Sequence, residues 1–198
     1  MKTKFNVLLT AGLFSFSLIG YAQTKDNNTK TNDANHKHDV NDKDQKHDMV
    51  LVEKVDKDYK FVVDAAEASL LEVQLGELAQ ANGSSSLVKE YGKTMVNDHK
   101  HMLTELTAVA EKKKFIVPTK LGDKLRKKYT DLAGKKGAEF DKDYIDLMVK
   151  NHKDLIDSYE DEAEDGKDAD IKSWAQSRIS SLKHHLQMAE STKNVGKK

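Results

Sequence analysis

The chain has 198 residues, of which 37% are hydrophobic and 33% charged, so it can bury only a narrow core such as the seam of a helix bundle. Its 33 basic and 33 acidic residues balance, which argues against nucleic acid as a partner, because nucleic-acid-binding proteins carry a basic surplus. The absence of cysteine excludes thiol chemistry, and the single proline argues against a many-turned β fold.

The first 22 residues have the features of a secretory signal peptide. Lys2 and Lys4 precede an apolar run, and Gly20 and Ala22 place small residues where a signal peptidase reads the chain. The run is shorter than the ~20 apolar residues of a membrane span, so no integral membrane span is expected in the mature chain. Cleavage after Ala22 predicts a periplasmic protein, with peripheral attachment to the outer membrane left open.

Residues 23–54 are predicted to form a disordered polar tether. They are mostly Asn, Asp and Lys, which bury too little apolar surface to offset the entropy of ordering. His36, His38 and His47 lie near aspartates, a composition that chelates divalent metals weakly. A solvated linker is the simpler interpretation of this segment.

Residues 55–192 are predicted to form an all-α four-helix bundle, followed by a disordered tail at residues 193–198. Four apolar stripes, with alternating spacings of three and four residues, predict four long helices. Gly83 and Gly166 end the first and third helices, and Asp168 is placed to cap the fourth.

The connection between the second and third long helices is itself long, from about Lys112 to Gly137. Pro118 ends the second helical region, and a short helix is predicted from Leu121 to Ala133. A crossover of this length can return the chain to the far end of the bundle, which is the ferritin-like way to connect two helical hairpins. A plain up-down bundle with a loose middle loop is the alternative.

Three of the four stripes carry a histidine, and the remaining one carries a carboxylate. The residues are Glu72, His99, His152 and His185. An ionisable group in an apolar seam is costly unless it is paired or bound. The first three lie near the middle of their helices, within very roughly 8 Å along the bundle axis, whereas His185 is expected one to two turns away. We therefore expect Glu72, His99 and His152 to converge in one internal site, with His185 at its margin.

Imidazole and carboxylate groups together are a common ligand set for zinc, copper, iron or manganese. Helix bundles build such sites from side chains that point inward on facing helices. Asp98 points about 100° away from His99 around its helix, so it is either a hydrogen-bond partner for a histidine of a neighbouring helix or a solvated charge. The alternative to a metal site is a metal-free network in which Glu72 hydrogen-bonds to His99 and His152 and fixes the helix register.

A resemblance to a known family is carried by four segments, "AAEASLLEVQLGELA", "YGKTMVNDHKHM", "FDKDYIDLMVKNH" and "LKHHLQMAE". Over about Tyr59 to Glu190 the chain resembles the exported bacterial family called domain of unknown function 4142. The resemblance implies a ferritin-like four-helical fold in the periplasm or at the outer membrane, and it implies no activity. The family's recurring positions correspond to Glu72, Met95, Asp98, His99, Phe140, Asp141, Tyr144, His152, His185 and Leu186.

Two classes of function follow from these observations. The first is an exported protein that binds a transition-metal ion, to buffer or sense it, with redox or protective activity left open. The second is a non-catalytic envelope protein with a structural, stress-related or partner-binding role, whose buried histidines only hold the helix register. No catalytic residue and no oligomeric state is predicted.

Overall fold

The computed structural model describes residues 56–195, and this part of the chain folds into five α-helices. Their bounds are α1 Lys57–Asn82, α2 Ser86–Lys112, α3 Asp123–Ala133, α4 Gly137–Asp165 and α5 Ala169–Val195. The predicted signal peptide and tether lie outside the described residues, as does the end of the predicted tail. Residues 193–195 do not belong to a tail, because α5 continues through them to Val195.

Local side-chain signals set the starts of these helices. The Asp56 carboxylate accepts a hydrogen bond from the backbone N–H of Asp58 at 3.0 Å, which caps the first turn of α1. The Asp168 carboxylate caps α5 as predicted, accepting from the N–H groups of Asp170 and Ile171. Gly137 has a φ of +63°, a conformation that favours glycine, where the crossover turns into α4.

Polar contacts at the two ends of the bundle fix the direction of each helix. At one end, called the upper end, the Asp141 carboxylate in α4 accepts hydrogen bonds from the N–H groups of Ser84 and Ser85 in the α1–α2 turn, at 3.0 and 2.8 Å. At the lower end, Asp58 near the start of α1 accepts from the N–H of Asp168 in the α4–α5 turn at 2.6 Å. Helices α2 and α4 therefore start at the upper end, and α1 and α5 start at the lower end.

The crossover between α2 and α4 runs back along the outside of the bundle, where its helix α3 packs on α1 and α4. The Glu67 carboxylate of α1 accepts a hydrogen bond from the N–H of Gly122, and Asn82 donates to the Lys135 carbonyl, each at 3.0 Å. Two antiparallel hairpins joined by such a crossover form a ferritin-like bundle. The predicted all-α fold, with a short helix in a long middle crossover, is confirmed.

The buried core is divided along the bundle axis into two apolar clusters. The lower cluster includes the rings of Phe61, Tyr159 and Trp174, and the upper cluster includes Tyr91 and Phe140. Along α2, α4 and α5, membership changes from one cluster to the other at a buried histidine. These histidines are His99, His152 and His185.

Helices α1 and α2 approach each other closely at two glycines. A Cβ atom on Gly76 would lie 2.5 Å from the carbonyl oxygen of Gly92, and one on Gly92 would lie 2.6 Å from the Cβ of Ala79. Both neighbouring atoms belong to helix backbones or to a Cβ, so they cannot move aside as a flexible side chain would. This contact fixes the separation of the two helices in the hairpin that carries His99.

None of the helices within residues 56–195 combines the length and the apolar character that a membrane crossing requires.

Glu162 is a buried carboxyl group near the lower end of α4, with 1% of its surface exposed. Burial, and next the neighbouring Asp58 carboxylate, raise the pKa of Glu162 from an ordinary 4.5 to about 7. Between these two values the folded chain holds a proton that the unfolded chain has released. Below pH 4.5 the carboxyl is protonated in both states, so Glu162 does not lower the free energy of unfolding. As the pH rises from 4.5 towards 7 the free energy of unfolding falls, because the folded state must either keep a proton that the unfolded state has released or bury a charge.

We expect Glu162→Gln to melt close to the wild-type temperature at pH 4, because a protonated carboxyl and an amide are both neutral. At pH 8 the variant should melt higher than the wild type by roughly 3 °C, since it no longer buries a charge. Glu164→Gln, an exposed change on the same helix, is the control. Thermal melts at both pH values measure the effect, and an equal difference at pH 4 and pH 8 would contradict it.

Candidate metal centre

Three imidazole rings meet inside the bundle, one each from α2, α4 and α5. The ring centroids of His99 and His152 are 5.8 Å apart, and each lies 5.4 Å from the ring of His185. One nitrogen from each ring lies within 4.8 Å of the corresponding nitrogens of the other two. Two imidazole nitrogens on one ion are at most about 4.2 Å apart, so a shift of under about 1 Å per nitrogen would complete a three-histidine site.

Hydrogen bonds hold two of the rings and leave their inner nitrogens without a partner. His152 Nδ1 donates to the Met148 carbonyl oxygen at 2.9 Å, and His185 Nε2 donates to the Asp98 carboxylate at 2.8 Å. Within the described part of the chain, His152 Nε2, His185 Nδ1 and both nitrogens of His99 have no hydrogen-bond partner. A ring that donates from one nitrogen presents a lone pair at the other, which is the arrangement of metal-ligating histidines.

The protein environment keeps these imidazoles neutral. Burial lowers the pKa of His152 to about 4. Burial, and next the neighbouring imidazoles, lower the pKa of His99 well below its ordinary value. Burial also lowers the pKa of His185, although its hydrogen bond to Asp98 acts in the opposite direction. Metal ions bind the neutral ring, so no proton needs to be displaced from these residues at neutral pH.

The four unpartnered imidazole nitrogens lie in side chains that are at most 1% exposed. A buried polar group without a hydrogen bond costs roughly 1–3 kcal/mol, which is a large penalty when it recurs in one place. An ion bound to all three rings would give a partner to three of these four nitrogens. The arrangement therefore favours a ligand bound to the three rings over three rings that only pack against one another.

His185 lies within the cluster, so its predicted position at the margin is wrong. Its Cα lies about three residues, or roughly 4.5 Å, farther from the α4–α5 turn than that of His152. Helical side chains lean towards the N-terminus of their own helix, and α4 and α5 run in opposite directions. His152 therefore leans towards the upper end and His185 towards the lower end, which brings their rings together.

The carboxylate of Glu72 is not part of the cluster, contrary to its predicted convergence with His99 and His152. Glu72 Oε1 instead accepts a hydrogen bond from Asn151 Nδ2 at 3.1 Å. The physical reason is that α3 covers α1 from outside, so a buried residue of α1 can face α3 and α4 rather than the bundle axis. The hydrogen bonds from Glu72 to His99 and His152 that the metal-free alternative required are not formed among the described residues.

The prediction for Asp98 named two alternatives, and the structure places its carboxylate against His185 of the neighbouring helix α5. Whether it supports a metal ligand stays a prediction. Sequence reasoning missed Asn151, which is buried and holds Glu72. The sequence feature that could have pointed to Asn151 is its position as an uncharged polar residue directly before His152, which lies on the apolar stripe of its helix. The histidines predicted as weak chelators in the tether lie outside the described residues.

Fold and site together define a ferritin-like helical bundle with a buried cluster of three histidines. The chain belongs to the family described as a domain of unknown function, DUF4142, whose model matches residues 44–192. The predicted family resemblance is thereby confirmed.

A crystal structure of a DUF305 protein from Streptomyces coelicolor, described as a candidate secreted protein, is similar to this chain. The TM-score is 0.56 and the identity 12%, and the alignment covers 68% of this chain and 90% of that one. At this identity the likeness shows the fold alone. No curated protein matches the chain.

Proposed function

We propose that this protein is an exported helical bundle that binds one transition-metal ion through His99, His152 and His185, and so buffers or senses that metal outside the cytoplasm. One observation carries the proposal: three buried imidazoles from three helices present nitrogens within 4.8 Å of one another, and each ring has a nitrogen without a hydrogen-bond partner.

The donor set favours zinc or copper among the four predicted metals. It consists of imidazole nitrogens, and no carboxylate oxygen of the described residues belongs to the 4.8 Å group. Imidazole suits zinc, copper and iron, whereas manganese prefers carboxylate and water oxygens, and a given nitrogen site binds copper and zinc more tightly than iron. Three protein ligands leave at least one coordination position for water or a small anion. The Asp98 carboxylate, through its hydrogen bond to His185, would offset part of the charge of the ion.

Export is supported by the signal-peptide features of residues 1–22. Attachment to the outer membrane, which the sequence left open, is supported by no feature of residues 56–195.

The second candidate is a non-catalytic envelope protein whose histidines form a metal-free polar network. The hydrogen bonds from His152 to Met148 and from His185 to Asp98 favour this candidate, because they hold both rings without an ion. The unpartnered nitrogens of His99 argue against it, since a network that fixes helix register needs its members paired.

Calorimetric titration of the metal-free mature protein with Zn²⁺ and Cu²⁺ tests the proposal. We expect one tightly bound ion per chain, with weaker binding at the tether histidines. A variant with His36, His38 and His47 changed to Ser should lose only the weak binding. The exposed pair His101→Ala and His184→Ala is the control within the bundle. If the wild-type protein binds neither ion at a saturable site, the proposed metal binding is wrong and the metal-free polar network is the remaining candidate.

A further inference from the structure

A cavity of about 190 Å³ lies between α1, α3 and α4, about a quarter turn around α4 from His152. Glu72 and Asn151 are buried in it, at 1% and 5% exposure, whereas Asp64 and Asp154 are exposed at its edge. The cavity therefore leads from the protein surface to the Glu72 carboxylate. It is separate from the three-histidine cluster described above.

A chain of hydrogen bonds crosses this cavity and stops at Glu72. Lys128 Nζ donates to Asn151 Oδ1, and Asn151 Nδ2 donates to Glu72 Oε1, each at 3.1 Å. The second oxygen, Oε2, is buried and has no hydrogen-bond partner among the described residues. A buried carboxylate with an open oxygen is costly, and either a proton or a cation would satisfy it.

The charges around the cavity favour a cation. Three carboxylates line it against the single ammonium group of Lys128. The Asp64 and Asp154 carboxylates pair with Lys60 and Lys150 one turn before them, so they are partly neutralised, whereas Glu72 forms no ion pair within residues 56–195. Burial raises the pKa of Glu72 to about 7, so at and above neutral pH the innermost charge that an entering ion meets is negative.

Unpartnered polar atoms continue from Glu72 towards the histidines. The hydroxyl groups of Tyr91 and Tyr144 are buried without hydrogen-bond partners in the described chain. Burial, and next the Glu72 carboxylate, raise the pKa of Tyr91. Burial, then Tyr91 and then Glu72 raise the pKa of Tyr144, so Glu72 lies within electrostatic reach of both tyrosines. The Tyr91 ring is in turn 6.5 Å from the ring of His152. These groups can solvate an ion on its way through an otherwise apolar layer.

We infer that the Glu72 cavity is the entry site of the metal centre, where a divalent cation is captured before it moves past Tyr91 to His152. The cation takes the place of the Lys128 ammonium on Asn151 Oδ1 and binds Glu72 Oε2. The ammonium turns to solvent with its proton, and any proton on Glu72 leaves by the same opening. The inference rests on the proposed function, since it names the route to the same three histidines.

Stopped-flow mixing with Co²⁺ tests the route, because cobalt bound to imidazoles absorbs visible light. We expect Glu72→Gln, which keeps the hydrogen bond from Asn151, to slow the rise of this absorption at least tenfold. Its final amplitude and the stoichiometry of one ion per chain should equal those of the wild type. Lys128→Met should speed the rise, because it removes the competing ammonium. Asp157→Asn, an exposed carboxylate of α4 outside the cavity lining, is the matched control and should load at the wild-type rate.

Two outcomes would overturn the inference alone. Loading of Glu72→Gln at the wild-type rate would show that ions enter elsewhere. A changed final spectrum or a lost ion in that variant would show that Glu72 is a ligand of the centre and not its entrance. If the wild-type protein develops no cobalt absorption and binds neither Zn²⁺ nor Cu²⁺ in the calorimetric titration, the proposed function fails and the inference fails with it, a result that depends on no variant.

Discussion

His99→Ala is expected to abolish tight metal binding, together with the thermal stabilisation that a bound ion gives to the wild type. His99 contributes one of three ligands and has no hydrogen-bond partner of its own among the described residues. An ion at 100 times its dissociation constant adds about 2.7 kcal/mol to the stability of the folded state, or roughly 8 °C in melting temperature. The variant should show none of this gain when Zn²⁺ is added.

Melts in the presence of a chelator complete the comparison. Without metal, we expect His99→Ala to differ from the wild type by less than about 1 kcal/mol, because the cavity it leaves is offset by the removal of two unpartnered nitrogens. His101→Ala, on the exposed face of the same helix, controls for changes in helix propensity. A variant that is destabilised equally with metal and with chelator would instead support the metal-free network.

The second large effect is expected from Gly92→Ala. The added Cβ would lie 2.6 Å from the Cβ of Ala79 and 2.8 Å from the carbonyl oxygen of Gly76, so α1 and α2 must move apart. Overpacking of this kind costs about 3 kcal/mol, at the upper end of the usual range.

Urea unfolding of Gly92→Ala and of a control, Gly134→Ala, measures this cost. A Cβ on Gly134 meets no atom within 4 Å, and its backbone is in the right-handed helical region. The control should therefore be neutral or slightly stabilising, by up to about 1 kcal/mol. Equal unfolding midpoints for the two variants would show that the α1–α2 contact is looser than the structure has it.

The fold was predictable from the sequence because its determinants are local. The apolar stripes give four long helices, and Gly83, Gly166 and Asp168 mark their turns and caps. The direction in which the crossover returns depends on long-range contacts, above all between Asp141 and the backbone of the α1–α2 turn. Such contacts join residues more than fifty positions apart, and no periodicity encodes them.

The candidate site was predictable only in part, and the errors share a cause. Counting residues along each helix gives the position of a Cα atom along the bundle axis, and it correctly placed His99 and His152 close to each other. It does not give the direction in which a side chain leans, which brings His185 into the cluster. Nor does it show which face of α1 is covered by the crossover, which directs Glu72 to Asn151.

The change of core membership at the three histidines has a consequence for how the bundle moves. Above and below them, separate apolar clusters hold the helices together, and at mid-height apolar cohesion is interrupted. Without an ion, the two halves are joined there by the helix backbones and by polar contacts such as the hydrogen bond between His185 and Asp98, so each half can fluctuate with little apolar coupling to the other. An ion tied to three of the four long helices would merge these halves into one cooperative unit. A bound ion would then make local unfolding rarer at both ends of the bundle, roughly 20 Å from the histidines, without changing the shape of the bundle.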